Sequence, residues 1–225
     1  MFGCVKADDG IFESHAVGEI HWAKLWLADL GEEACKKLAL WTHENMQMEA
    51  CGFRKYYLSE NESKRCSFSL IASHLLDRKV VFSSASTNTG GWASSTLNTF
   101  LNTRLYEALP LQMSLLIKQV KVASSIGDKS SEISYSDCYI TIPAAKELDP
   151  SMTSEPYNSE ATAISYMTSD DKRKRAYDKG DYDDYWTRSP NVGYTNYIYQ
   201  VNEKGELYGF CTPTIKAGIL IQISI

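Results

Sequence analysis

The last nine residues, Ala217-Gly-Ile-Leu-Ile-Gln-Ile-Ser-Ile225, constrain the fold more than any other stretch. Ile219, Ile221, Ile223 and Ile225 recur at every second position, with Gln222 and Ser224 between them. A period of two puts the isoleucines on one face of a β-strand, and so apolar a face must be buried. The same pattern runs upstream. Tyr194 to Val201 is rich in aromatic and β-branched residues, which fit a pleated surface. Asn202-Glu-Lys-Gly205 is turn chemistry, with a glycine available for positive φ. Leu207 to Thr212 reads as the return strand, and Pro213 ends it or marks an edge. A 191–212 hairpin and a closing strand are therefore expected in one sheet, with the helices of 95–120 outside it.

Residues 185–202 carry four tyrosines, one tryptophan, one arginine and three asparagines. Tyr and Trp give large contact area at low entropic cost, and Asn and Ser give adaptable hydrogen bonds. The segment has no His, Cys or paired carboxylates, so it points to recognition and nominates no catalytic residue. The candidate binding face is Tyr185, Asn191, Tyr194, Asn196, Tyr197, Tyr199, Tyr208 and Phe210. The competing reading makes these tyrosines half-buried strand residues. Pleating sends neighbours to opposite faces. With Val201 inward, Tyr199 and Tyr197 follow it, and Asn196, Ile198 and Gln200 face out. An outward Ile198 is awkward and points to a bulge or a loop.

At 225 residues the chain can bury a substantial core in one or two domains. A net charge of −5 disfavours a nucleic-acid partner, because phosphate binding needs a basic surface. Lys172-Arg-Lys-Arg175 is the one basic run, and its acidic neighbours make it a solvated loop. Cys4, Cys35, Cys51, Cys66, Cys138 and Cys211 form no CxxC and no zinc spacing, so they read as free core thiols. Nothing in the spacing of Cys51, Cys66 and His74 favours a shared metal, and Asp181, Asp183 and Asp184 match no EF-hand. No cofactor and no metal are expected. No apolar run reaches the ~18 residues of a transmembrane helix. Met1-Phe-Gly-Cys4 begins no signal-peptide pattern.

Residues 1–64 are less regular. Trp22, Leu25, Trp26 and Leu30, then Ala34, Leu38 and Trp41 beyond Gly31, have helical spacing. They predict a helical N-terminal segment packed on a main domain over 65–225. Asn61-Glu-Ser63 is a formal glycosylation acceptor. Residues 67–83 read as two short strands around a turn near Asp77-Arg78. Ser94 or Ser95 can cap a helix whose apolar face is Leu97, Phe100, Leu101 and Leu105. After Leu109-Pro110, a second helix would align Met113, Leu116, Ile117 and Val120. A polar loop over 127–136, a short strand over 138–142 and a long polar stretch over 149–184 complete the chain. The class is α+β, with two helices packed on a small, mainly antiparallel sheet.

These pieces resemble a family. Gly90-Gly-Trp-Ala-Ser-Ser-Thr-Leu97, Phe100-Leu-Asn102, Tyr106, Ala108-Leu-Pro110 and Leu116-Ile117 are similar to the "GGWxSSxLRxFLN…YxALPxxLxxLIKxV" core of the bacterial and phage domains called DUF6273. Ser136-Asp-Cys-Tyr-Ile-Thr-Ile-Pro-Ala-Ala-Lys-Glu-Leu148 is similar to the "DKIFLPSxxEL" segment, and Tyr185-Trp-Thr-Arg-Ser-Pro190 to "WWLRSP". Gly218-Ile219 sits where "GVRP" is usual. Asn98 replaces the usual Arg, and Ile219-Leu-Ile221 lacks the Arg-Pro. The resemblance spans roughly residues 66–225 and implies a C-type-lectin-like fold of the formylglycine-generating-enzyme group. It also implies likeness to variable proteins of diversity-generating retroelements, whose mutagenesis rewrites Asn codons near the C-terminus of a binding domain. In that frame Trp92 and Trp186 pack in the core, and Arg188 pairs with an acidic residue.

The expectation is a non-enzymatic adhesin or receptor-binding protein, at a virion or bacterial cell surface, with a protein or glycan ligand. Two alternatives stand beside it. One is an oxidase related to formylglycine-generating enzymes, which would need a reactive pair such as Cys211 and Cys138. The other is a structural tail or wall module without a ligand.

Overall fold

The computed structural model describes residues 22–26, 45–76, 78–109, 111–167, 169–177 and 180–225. Among these the protein is mixed α/β, rich in small antiparallel sheets, with few and short helices. The strands are β1 (Trp22–Trp26), β2 (Asn45–Phe53), β3 (Tyr57–Leu58), β4 (Asn61–Arg65), β5 (Phe68–Ala72), β6 (Val80–Val81), β7 (Val120–Ser125), β8 (Ile133–Cys138), β9 (Ile140–Thr141), β10 (Tyr185–Pro190), β11 (Ile198–Val201), β12 (Leu207–Cys211), β13 (Lys216–Ala217) and β14 (Gln222–Ser224). The helices are α1 (Thr96–Thr99), which runs on as a π-helical stretch over Phe100–Leu105, α2 (Leu111–Leu116), α3 (Ala145–Leu148), α4 (Tyr157–Glu160) and α5 (Asp170–Arg173).

The chain's end closes the largest sheet, of order β1-β2-β5-β14-β9. Ile223 lies opposite both Leu70 and Ile140. Ile219 and Leu220 are fully buried, and Ile221 and Ile223 nearly so. The polar positions of this segment are enclosed as well. Ser224 shares a hydrogen bond with Ser69 at 2.9 Å, and Gln222 accepts one from Tyr56 at 3.4 Å. The closing strand does not share a sheet with the hairpin. β10, β11 and β12 form a separate three-stranded sheet. Both edges of β14 are already taken, by β5 and β9, so the hairpin sheet meets the terminal segment through a parallel bridge between Tyr185 and Gly218.

Residues 22–26 form a strand paired with β2, where helical spacing predicted a helix. Five residues of alternating Trp, Lys and Trp suit either state, and pairing with β2 decides. The rest of the expected helical pair lies outside the described residues. Strands β2, β3 and nearly all of β4 also precede residue 65, and they join sheets with β5 and β7 across the expected boundary.

The first predicted helix is present. Ser95 caps it, its Oγ accepting from the Asn98 N–H at 2.9 Å, and Leu97, Leu101 and Leu105 are buried. The second helix stops at Leu116, which is exposed along with Leu115. Ile117 lies on the approach to β7 and Val120 opens that strand, and both are buried. The predicted polar loop over 127–136 is shorter than expected, because β8 begins at Ile133 and pairs with β7. The long stretch over 149–184 folds into short helices and an isolated bridge between Ala176 and Tyr182.

Candidate functional site

The family-like motifs meet in the interior. Trp92 and Trp186 are fully buried and flank Phe82, with ring centroids 6.2 Å and 5.6 Å from it. Asn102 ties the π-helical stretch to β9. Its Oδ1 accepts from the Tyr139 and Ile140 N–H groups at 2.7 and 2.9 Å, and its Nδ2 donates to the Ile140 carbonyl. Asn98, at the Arg position of the motif in the resemblance above, accepts from Asn102 Nδ2 at 2.8 Å. Leu220 and Ile221, at the Arg-Pro positions of the "GVRP" motif in the resemblance above, are plain core.

Arg188 is the charged centre of that interior. Fully buried on β10, it donates to the Ala123 and Ile142 carbonyls at 3.1 and 2.7 Å and to Glu147 Oε2 at 2.7 Å. Glu147 also takes the Ala144 N–H, the Tyr56 hydroxyl and an ion pair with Lys55. Burial works to raise the Glu147 pKa, but Arg188 and Lys55 outweigh it and hold the carboxyl down to about 2. Glu160, on α4, is different. Its carboxylate accepts from the Ser125 N–H at 2.8 Å and from the Ser189 hydroxyl. Burial dominates there and pushes it up to about 7, against the pull of Ser189, Ser125 and Arg188.

The eight candidate face residues divide. Tyr185 is fully buried, and its hydroxyl donates to the Arg173 carbonyl at 2.8 Å. Asn191 is buried as well, with Nδ2 donating to the Gly209 carbonyl at 2.7 Å and Oδ1 accepting from the Gly193 N–H. These two sit in the interior, away from any face. Tyr199 is half-buried, stacked edge-on against Tyr157 at 5.5 Å. Its ring leaves Gly209 no room for a side chain, since a Cβ there would sit 2.5 Å from Tyr199 Cε1.

The other residues lie outward. Tyr194, Tyr208 and Phe210 are 42%, 51% and 48% exposed, and Tyr197 is half-buried among them. Tyr194, Tyr197 and Phe210 form a triangle of edge-to-face rings with centroids 5.2–5.7 Å apart. Tyr208 extends it from Phe210 at 5.6 Å. Asn196 is half-buried in the same loop. The register is explained by irregular pairing around Tyr199: β11 pairs with both neighbours at Ile198 and Gln200, and shifts register between them. Ile198 and Gln200 share the buried face, opposite to the expectation, and Val201 is buried beside Gln200, so alternation breaks at the end of β11.

One residue that sequence reasoning passed over organises this surface. Asn88 is buried, and its Nδ2 lies within hydrogen-bond distance of the Asn191, Tyr194 and Tyr197 carbonyls at 3.2, 2.8 and 2.9 Å. Its Oδ1 accepts from the Asp128 N–H, and its own N–H donates to the Thr195 carbonyl. The sequence signal was the Asn88-Thr-Gly-Gly91 run, turn chemistry just ahead of the GGW motif.

Cys138 and Cys211 are both free and buried. Burial pushes the Cys138 thiol up to about 11 and the Cys211 thiol up to about 12. No group of three metal-ligating side chains converges among the described residues, and no helix there is long and apolar enough to cross a membrane.

The chain belongs to the DUF6273 family, described as a domain of unknown function, whose model matches residues 44–219. Neither the curated proteins nor the solved structures give a match.

Proposed function

We propose that this DUF6273 protein is a recognition module, without catalytic activity, that presents Tyr194, Tyr197, Tyr208 and Phe210 to a protein or glycan surface. The observation that carries the reading is the ring cluster itself. Three of the four aromatic side chains are about half exposed, yet they pack on one another and on a loop fastened from behind. Rigid aromatic side chains that keep solvent-facing area lose little entropy on binding, and such patches mark interaction sites. The neighbouring Asn196 and Thr195 supply amide and hydroxyl groups without a formal charge. Both fit a glycan or a neutral protein epitope better than a phosphate.

The oxidase alternative draws no support from the thiols. A nucleophilic cysteine needs a lowered pKa, and burial drives Cys138 and Cys211 the other way. The C-type-lectin-like assignment within the mixed α/β class, a surface location on virion or cell, and retroelement diversification of the Asn- and Tyr-rich segment belong to the same proposal. The recurrence of small antiparallel sheets supports the first, and the exposed Tyr194 with the half-buried Asn196 and Tyr197 supports the last.

The test is a glycan array together with a panel of purified bacterial surface proteins, probed with the protein and with a Tyr194→Ala/Phe210→Ala variant. Recognition predicts discrete hits that the double variant loses while its thermal transition is retained. Hits that survive the double substitution would move the binding face elsewhere.

A further inference from the structure

The loop between β10 and β11, residues 191–197, is held in an unusual way. Among the described residues, every hydrogen bond made to residues 192–197 reaches a main-chain atom of that stretch. Asn88 Nδ2 meets the Tyr194 and Tyr197 carbonyls. The Asn88 N–H and the Thr87 hydroxyl both donate to the Thr195 carbonyl, at 2.9 and 3.0 Å. The Val192 N–H donates to the Tyr157 hydroxyl at 3.0 Å, and the Gly193 N–H to Asn191 Oδ1 at 3.0 Å. Within the loop, Asn191 N–H meets the Tyr197 carbonyl and Tyr194 N–H meets the Asn191 carbonyl. Among the described residues, no side chain from Val192 to Tyr197 donates or accepts any of these bonds.

The clamping side chains stand outside residues 192–197. Asn88 precedes the GGW motif, Tyr157 lies on α4, and Asn191 follows the end of β10 with its amide on Gly209. All three are buried. A loop held by its side chains loses its shape when they change. A loop held by its carbonyls and amides does not, because every residue except proline supplies both groups.

We propose that Asn88, Tyr157 and Asn191 form a sequence-independent clamp, and that the side chains of Tyr194, Thr195, Asn196 and Tyr197 are specificity positions that can change without changing the loop's fold. The proposal rests on the recognition reading above for the word specificity, and on hydrogen-bond geometry for the rest. It separates two kinds of residue that composition had merged. Asn191 belongs to the frame and Asn196 to the displayed set, although both are asparagines in one short segment.

The experiment uses the full chain. A small set of variants replaces Tyr194, Thr195, Asn196 and Tyr197 together with mixtures of Ser, Asn, Asp and Tyr. A second set carries Asn88→Ala or Tyr157→Phe, with the loop unchanged. The readouts are the urea midpoint and amide hydrogen exchange across 191–197, with β14 as an internal reference. The replaced loops are expected to keep the parental midpoint and the parental exchange rates. Asn88→Ala should speed exchange in the loop about tenfold or more, as loss of a buried hydrogen-bond hub does, and leave β14 unchanged. If Asn88→Ala does not fold, Tyr157→Phe, which removes one hydroxyl and keeps the ring, carries the test at Val192. Replaced loops that exchange as fast as the clamp variants, or clamp variants that exchange as slowly as the parent, would overturn the proposal. Neither arm contains a ligand, so failure of the recognition reading would leave these results untouched.

Discussion

Glu147 and Glu160 lie close to the same guanidinium and carry opposite shifts, and this fixes the direction of the protein's pH response. The Glu160 carboxyl is raised to about 7 in the folded state by burial. Its contribution is complete below the ordinary carboxylate range and is lost as pH rises through about 7. Glu147, held down to about 2, contributes above the ordinary range and loses that only in strong acid. Between these limits Glu160 sets the slope. The urea midpoint should fall as pH rises from about 5 to about 8, and Glu160→Gln should flatten that fall. A variant that keeps the parental slope would place the titration on another group. Arg188 makes a different prediction. Removing it leaves Glu147 buried beside Lys55 alone, so Arg188→Ala should cost about 3–5 kcal/mol by urea denaturation. Such a pairing was foreshadowed by the arginine in the Trp-Thr-Arg-Ser-Pro run. Glu147 as the partner was not, because 41 residues separate them and only the packing of α3 on β10 joins them.

At the scale of elements, signals confined to neighbouring residues were the readable ones. The Ser95 cap, the Leu97-Leu101-Leu105 stripe and the isoleucine alternation each sit within a few turns or residues, and each names its own element. Sheet membership is non-local. Nothing within 217–225 says that β5 and β9 will occupy both edges of β14 and exclude the hairpin. Residues 22–26 fail for the same reason, since their strand exists through pairing with β2. The Gly90-Gly91 pair is an element-scale device of another kind. Gly91 has a φ of +53°, and a Cβ there would lie 1.9 Å from the Ser125 carbonyl oxygen at the end of β7. Neither strain can be relieved by turning a side chain. Gly91→Ala should therefore cost more than the ~1–3 kcal/mol of ordinary overpacking, read as a loss of the thermal midpoint. An alanine variant of parental stability would mean that the 90–91 turn is looser than its contacts imply.

The whole molecule sorts one aromatic-rich segment into a frame and a display, and composition alone cannot make that division. Tyr185 and Tyr194 are the same residue nine positions apart, yet one is enclosed by β11 and α5 and the other stands in solvent. Tyr185 lies on β10, paired with Val201, whereas Tyr194 stands in the loop before β11, and that placement depends on how three strands pair. An alanine scan across the eight residues should therefore resolve into two groups. Tyr185→Ala removes a fully buried ring and a hydroxyl bonded to Arg173, and should lower stability by about 3–5 kcal/mol. Asn191→Ala should also destabilise, through the unpaired Gly209 carbonyl and Gly193 N–H, by about 1–3 kcal/mol. Tyr208→Ala leaves an exposed strand position on β12 and should stay near the roughly ±0.5 kcal/mol of surface changes. Phe210→Ala, at the centre of the rings, should cost binding about 2 kcal/mol or more, as central aromatic anchors do, with a much smaller loss of stability. Denaturation curves and affinity for any ligand identified by the array would give two axes for each variant. If Phe210 and Tyr208 fell on the stability axis together with Tyr185, the ring cluster would be a minor core and the proposed recognition face would be overturned.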